Sequence, residues 1–117
     1  MSVEHATRLQ HRGSISHALD IEIMLHRYRG DAAMVCEKAP RMAEFAEEHG
    51  FRGLGAKAKV FEGWGRARQG DQRLGVRYIE EGMDIHRRIG TEEDFPVYLE
   101  MLAEAKSQLS EIGRAHV

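Results

Sequence analysis

The stretch GWGRARQGDQRLGVRYIEEGMDIHRRIG, residues 63–90, contains a helical apolar pattern that ends at a glycine, restarts after an aspartate and ends at a glycine again. Glycines also occur at positions 30 and 50, and Asp31 follows Gly30 as Asp71 follows Gly70. Glycine commonly ends a helix, and aspartate is a favoured N-cap of the next one. Two helices in about 40 residues is a period typical of helical repeat proteins. The sequence therefore predicts an all-α chain of about five helices, stacked as antiparallel hairpins.

Length and charge limit the class of protein. The 117 residues fit a single domain that can fold on its own core. A net charge of -2 gives no general attraction to nucleic acid, and no apolar run is long enough for a membrane span. The single cysteine, Cys36, excludes an internal disulfide and favours a reducing compartment. We therefore expect a cytoplasmic domain that binds neither nucleic acid nor membrane.

The apolar spacing divides this single domain into helical units. A partial helix is predicted within residues 1–13, with Gly13 as its stop and Ser14 as the next N-cap. The units that follow are repeat 1 at 14–50, repeat 2 at 51–90 and a partial repeat 3 at 91–113, whose apolar stripe includes Leu109 and Ile112.

Some residues predict departures from regular helix packing. Pro40 lies inside the second helix, where we expect a kink or a break because proline removes a backbone donor. Gly63 and Gly65 weaken a helix, so their use should be the close approach of another helix backbone. Ile21 and Ile23 widen the apolar surface of the preceding helix, which predicts a helix buried on more than one side.

The phrases GWGRARQGD (63–71) and EEGMDIHRRIG (80–90) resemble degenerate tetratricopeptide (TPR)-like repeats. Aligning the glycine-aspartate turn places Gly63, Gly75 and Gly82 where that motif has small residues. The sequence is similar to repeats in the C-terminal regions of bacterial regulators that carry an ATPase module, often with an adenylate/guanylate cyclase domain. The resemblance implies an α-solenoid fragment that binds proteins.

Charge segregation indicates a binding surface. Basic residues predominate from position 52 to 77, and acidic residues predominate after it. Because successive first helices of a solenoid line a groove, the sequence predicts a peptide site for an acidic or C-terminal carboxylate group. Its candidate residues are Tyr28, Lys59, Trp64, Arg66 and Tyr98. The alternative is a solvated face whose charges pair between repeats.

Sequence patterns for other chemistry are weak. GFRGLGAK, residues 50–57, has Ala56 between its last glycine and Lys57, unlike a phosphate-binding loop. The histidines lack metal-ligand spacing, and Cys36 lies on an apolar helix stripe. We therefore expect no enzyme activity, no cofactor and no metal.

The sequence thus predicts a protein-interaction or self-association module of a cytoplasmic signalling or regulatory system, with a groove for a peptide or partner helix. A homodimer through apolar repeat ends is expected, because each repeat relies on neighbours for burial. The rival interpretation is a compact helical bundle that binds a small anionic ligand at its basic half.

Overall fold

The computed structural model describes the backbone of residues 3–115 and the side chains of residues 11–107. It has five helices: α1 (Val3–Tyr28), α2 (Ala32–His49), α3 (Arg52–Arg68), α4 (Gln72–Ile89) and α5 (Phe95–Ala115). No strand occurs between residues 3 and 115, so the all-α prediction is confirmed. The predicted apolar positions Leu109 and Ile112 lie outside the described side chains.

The helices end where the regularly spaced glycines predict. Gly30, Gly50, Gly70 and Gly90 have φ values of 74°, 71°, 110° and 75°, in a region that favours glycine. Asp31 caps α2, because its carboxylate accepts a hydrogen bond of 3.2 Å from the backbone N–H of Met34. Asp71 occupies the equivalent position before α4 without a side-chain cap bond. Asp31 and Asp71 therefore both lie at the predicted N-cap positions, but only Asp31 forms a side-chain capping hydrogen bond.

The predicted helix end at Gly13 is wrong, and of the kink or break predicted at Pro40 the break is absent while the kink stays a prediction. Gly13 and Ser14 lie inside α1, which is a single helix of 26 residues. An interior glycine costs a helix only about 1 kcal/mol relative to alanine, which is not enough to end it. Pro40 lies inside α2, which is also continuous. The apolar residues Val35 and Met42, on either side of Pro40, are both fully buried and anchor both halves of α2.

The helices form two layers. Each helix packs against the next one along the chain, α3 also packs against α1 and α5, and no other pair of helix backbones lies close together among the described residues. Helices α1, α3 and α5 therefore form one layer, and α2 and α4 cover it on one side. The radius of gyration is 15.6 Å, against about 13 Å for a compact domain of this length. The chain is therefore less compact than a typical globular domain of its length.

Helix α3 is the centre of the core. Its Phe61 and Trp64 are among the largest buried side chains, together with Tyr98 of α5. Close approach by glycine is confirmed: a Cβ on Gly63 would lie 2.5 Å from the carbonyl oxygen of Gly75, and a Cβ on Gly75 would collide with the Gly63 carbonyl in return. Helices α3 and α4 therefore meet backbone to backbone.

Burial of α1 differs from the sequence-based expectation. Ile23 is fully buried, whereas Ile21 is 47% exposed and Leu25 is 50% exposed. The prediction that Ile21 and Ile23 both widen the buried surface of α1 is wrong for Ile21, which lies with Leu25 on the exposed side of the helix.

Candidate functional site

The layer of α1, α3 and α5 presents a surface that we call the odd-helix face. On α3 it includes Lys57, Phe61, Trp64 and Arg68, which share one side of the helix at spacings of four, three and four residues. Helix α1 flanks this row on one side and α5 flanks it on the other. Two clefts lie along the face, one near Lys57 and one near Trp64.

The lysine cleft, of about 390 Å³, lies between α1, the start of α3 and the segment that precedes α5. The ammonium group of Lys57 donates to Oδ2 of Asp20 at 2.7 Å and lies 3.0 Å from Oδ2 of Asp94. Burial alone would lower the pKa of Lys57, but the two carboxylates more than offset it and raise the pKa. Lys57 therefore stays charged and joins three segments of the chain.

His86 forms one wall of the lysine cleft. Its Nδ1 lies 2.8 Å from Oγ1 of Thr91, and its Nε2 lies 3.1 Å from the hydroxyl oxygen of Tyr98. Burial lowers the pKa of His86, partly opposed by Asp94, and burial raises the pKa of Tyr98. The imidazole is thus neutral with a partner at each nitrogen, an arrangement that fixes the end of α4 against α5.

The arginine cleft, of about 300 Å³, lies at the other end of the odd-helix face. Arg27 of α1 is 5% exposed, and its Nη2 lies 2.9 Å from Oε1 of Glu100 and 3.0 Å from Oε1 of Glu104. Oε2 of Glu104 also accepts a hydrogen bond of 2.6 Å from Nε1 of Trp64. Arg27 therefore links α1 to α5 across α3.

Exposed groups surround this buried link. Arg29 and Arg68 are exposed, and neither forms an ion pair with the described side chains. The guanidinium of Arg68 lies 5.4 Å from the ring centroid of Trp64. Tyr28 is 68% exposed, with the guanidinium of Arg27 5.2 Å from its ring centroid. The rim of the arginine cleft thus offers two cations and one aromatic ring to solvent.

The contact pairs also give the helix directions. Near the start of α3, Lys57 contacts Asp20 of α1 and Asp94 just before α5. Seven residues later on α3, Trp64 contacts Glu104 of α5, which in turn contacts Arg27 of α1. The chain numbering therefore increases in the same direction along α1, α3 and α5. This is the geometry expected when successive hairpins are stacked.

The structure separates the predicted site residues. Lys59 and Arg66 lie on the opposite side of α3, where Lys59 is 2.6 Å from Glu81 and Arg66 is 3.2 Å from Glu62. Lys59 lines a depression with side chains from α2 and α4. These two residues therefore cannot line the odd-helix face.

The three predicted aromatic residues have different environments. Tyr28 and Trp64 both line the arginine cleft, although Trp64 is only 2% exposed. Tyr98 is fully buried against His86. Of the five predicted residues, the structure thus brings Tyr28 and Trp64 together.

The sequence prediction missed Arg27, Lys57 and Arg68. The spacing of Lys57, Phe61, Trp64 and Arg68 is a signal that they share one helix face. Nothing comparable in the sequence identifies Arg27, which resembles an ordinary basic residue in the last turn of a helix.

Other kinds of site have little support in the described region. Among its side chains, no group of three or more His, Cys, Asp and Glu residues could hold a metal ion. Burial raises the pKa of Cys36, which keeps it a thiol near neutral pH. None of the described helices has the length and apolar character needed to cross a membrane.

Comparison with known proteins identifies a bacterial relative. Over 96 residues, or 82% of this chain, the sequence is 33% identical to an uncharacterized protein of Rhizobium meliloti (strain 1021). The matched segment is 9% of that protein, so the chain spans a small part of its relative's length. No protein-family model and no solved structure matches the chain.

Proposed function

We propose that this chain is a non-enzymatic, TPR-like interaction module of a cytoplasmic signalling or regulatory protein. In this proposal the odd-helix face binds a peptide that places a carboxylate against the rim of the arginine cleft. The observation that carries the proposal is the pair of uncompensated, exposed guanidinium groups of Arg29 and Arg68 beside the exposed ring of Tyr28.

The chemistry of the rim supports a carboxylate as the bound group. Arginine presents a planar fork that can bind a carboxylate through two parallel hydrogen bonds. Arg27 is already paired with Glu100 and Glu104, so it holds the cleft together. Arg29 and Arg68 retain their donors for a ligand.

The charge of the lysine cleft, at the other end of the odd-helix face, supports one orientation of the bound peptide. The lysine cleft contains Asp20, Glu93 and Asp94 against Lys57, so acidic groups exceed basic groups there. Lys57 and Trp64 are seven residues apart on α3, which corresponds to about 10 Å along a helix. A peptide with a basic or amine group three to four extended residues before its carboxylate would therefore fit the charges of both clefts.

The arrangement of the helices supports a stack over a closed bundle. The contacts of α3 with both α1 and α5, and the separation of α2 from α4, are those of successive hairpins. The rival function, small-anion binding at the basic half, is weaker because Lys57, Lys59 and Arg66 each have a carboxylate partner.

Selection from a random peptide library with free C-termini tests the proposal. We expect enrichment of peptides with an acidic residue or a terminal carboxylate, and micromolar affinities of the selected peptides by calorimetry. The substitution Arg68→Glu should weaken their binding at least tenfold, because it replaces an attraction with a repulsion.

Arg73→Glu is the matched control. Arg73 is also exposed and forms no ion pair with the described side chains, but it lies on α4, outside both clefts. It should leave peptide affinity nearly unchanged. A library that yields no binding sequence, or equal loss in both variants, contradicts the proposed site.

A further inference from the structure

An exposed stripe runs along α1 on a surface that lines neither cleft for most of its length. Its members follow alternating spacings of four and three residues, as in a heptad pattern. They are Ser14, Ala18, Ile21, Leu25 and Tyr28, preceded at the same spacing by His11, and all are exposed. We call these residues the α1 stripe.

The α1 stripe points away from the rest of the chain. Leu19 and Ile23, on the other side of α1, pack into the core formed with α2 and α3. Ile21, Leu25 and Tyr28 are nevertheless 47%, 50% and 68% exposed, which makes them three of the four large apolar side chains most exposed in the described region. Such a row of large apolar groups on a surface helix is typical of a partner interface.

Side-chain size along the stripe indicates what covers it. The N-terminal positions Ser14 and Ala18 are small, and the later positions Ile21, Leu25 and Tyr28 are large. An in-register parallel pair of stripes would place large against large and small against small. An antiparallel pair would place Ile21 and Leu25 each against a small side chain, which gives more even packing between two straight helices.

We propose that the α1 stripe binds the α1 stripe of a second copy of this chain in an antiparallel, two-fold symmetric dimer. Ala18 lies against Ile21 of the second copy, Ser14 against Leu25, and His11 against Tyr28. This register pairs five turns of α1. It shares only Tyr28 with the arginine cleft, and it goes beyond the proposed peptide function.

Charge and area are compatible with this dimer. Glu22, which flanks the stripe, is 2.6 Å from Lys38 within its own chain, so it brings no uncompensated charge to the interface. An interface of one helix pair belongs to the smallest class of specific interfaces, which bury less than about 1,200 Å². The dimer should therefore be weak, with a dissociation constant of about 10–100 µM.

Sedimentation equilibrium from about 1 µM to about 1 mM tests the association. We expect wild type to change from monomer to dimer across this range and Leu25→Glu to weaken dimerisation at least tenfold. Leu99→Glu is the matched control, because Leu99 is 54% exposed but lies on α5. A monomeric wild type at the highest concentration, or equal weakening by both variants, overturns the proposal. Far-ultraviolet circular dichroism verifies that both variants are folded.

Disulfide trapping tests the antiparallel register. In a Cys36→Ser background, Ser14→Cys and Leu25→Cys together should form covalent dimers on mild oxidation, while each alone should not. In a parallel pair each single variant would crosslink as well, because each cysteine would face its own copy. Efficient crosslinking of Leu25→Cys alone therefore overturns the antiparallel dimer. Neither Ser14 nor Leu25 lines a cleft, so a failure of the dimer proposal in this experiment would not contradict the proposed peptide site.

Discussion

Arg27 and Glu104 form an ion pair of 3.0 Å although 77 residues separate them along the chain. They belong to α1 and α5, whose backbones make no direct contact within residues 3–115. The pair passes over α3, where the second oxygen of Glu104 binds Trp64. A single carboxylate thereby joins all three helices of the odd-helix face.

The substitution Glu104→Ala should lower the free energy of unfolding by about 2–3 kcal/mol. It removes the acceptor of the buried Trp64 N–H and one of the two partners of the buried Arg27. Urea denaturation measures the change. Glu100→Ala is the control and should cost less than about 1 kcal/mol, because Glu100 is 60% exposed. Equal losses would mean that the link through Trp64 adds no stability.

Gly63→Ala should destabilise the chain by about 2–3 kcal/mol even though alanine favours helices. The new Cβ would lie 2.5 Å from the carbonyl oxygen of Gly75 and 2.9 Å from one side-chain atom each of Ile79 and Tyr78, so α3 and α4 must separate. Thermal unfolding measures the loss.

The substitution Gly13→Ala should raise the stability of the chain, in contrast to Gly63→Ala. Gly13 lies inside α1, and a Cβ there meets nothing within 4 Å. The helix preference of alanine should therefore stabilise the chain by about 0.5–1 kcal/mol. A loss of stability in Gly13→Ala would contradict the continuous α1 helix.

The buried His86 should make the chain less stable in mild acid. Because burial lowers its pKa below the ordinary 6.5, the unfolded chain binds a proton more readily than the folded chain. Stability present above about pH 6.5 is therefore lost as the pH falls towards the lowered pKa. Denaturation of wild type and His86→Gln between about pH 7.5 and 5.5 isolates this effect, since the other histidines are common to both. Parallel stability curves for the two proteins would contradict a neutral, buried His86.

Pro40→Ala should stabilise the chain by about 1–3 kcal/mol. Pro40 is exposed and lies inside α2, where alanine restores a backbone donor and removes a steric conflict. Pro96→Ala is the control, because Pro96 lies in the first turn of α5, where proline is well tolerated. Its effect on the melting temperature should be much smaller. A destabilised Pro40→Ala variant would mean that the packing of α2 requires the local shape that proline imposes.

The sequence predicts the helix boundaries well because local chemistry determines them. Gly30, Gly50, Gly70 and Gly90 all adopt positive φ, the conformation that glycine tolerates best. Gly13 shows the limit of this rule, since a glycine ends a helix only where the chain turns. The neighbouring apolar residues of α1 continue the helix across it.

The candidate site could not be predicted to the same extent because it depends on how distant helices align. The approach of Asp20 and Asp94 to Lys57 requires the register of α1, α3 and the turn before α5. Lys59 and Arg66 also resembled groove residues, but their helix positions direct them towards α2 and α4. A basic composition therefore identifies a charged helix without indicating which side meets a ligand.

The reciprocal contact of Gly63 and Gly75 has a consequence for motion. Two backbones that touch have no side chain between them to change rotamer, so thermal fluctuation cannot slide α3 along α4 in small steps. Helices α3 and α4 should therefore move together as one body. Any widening of the clefts must come from α1 or α5 moving relative to that body, and the Glu104 carboxylate that bridges them limits how far each can move.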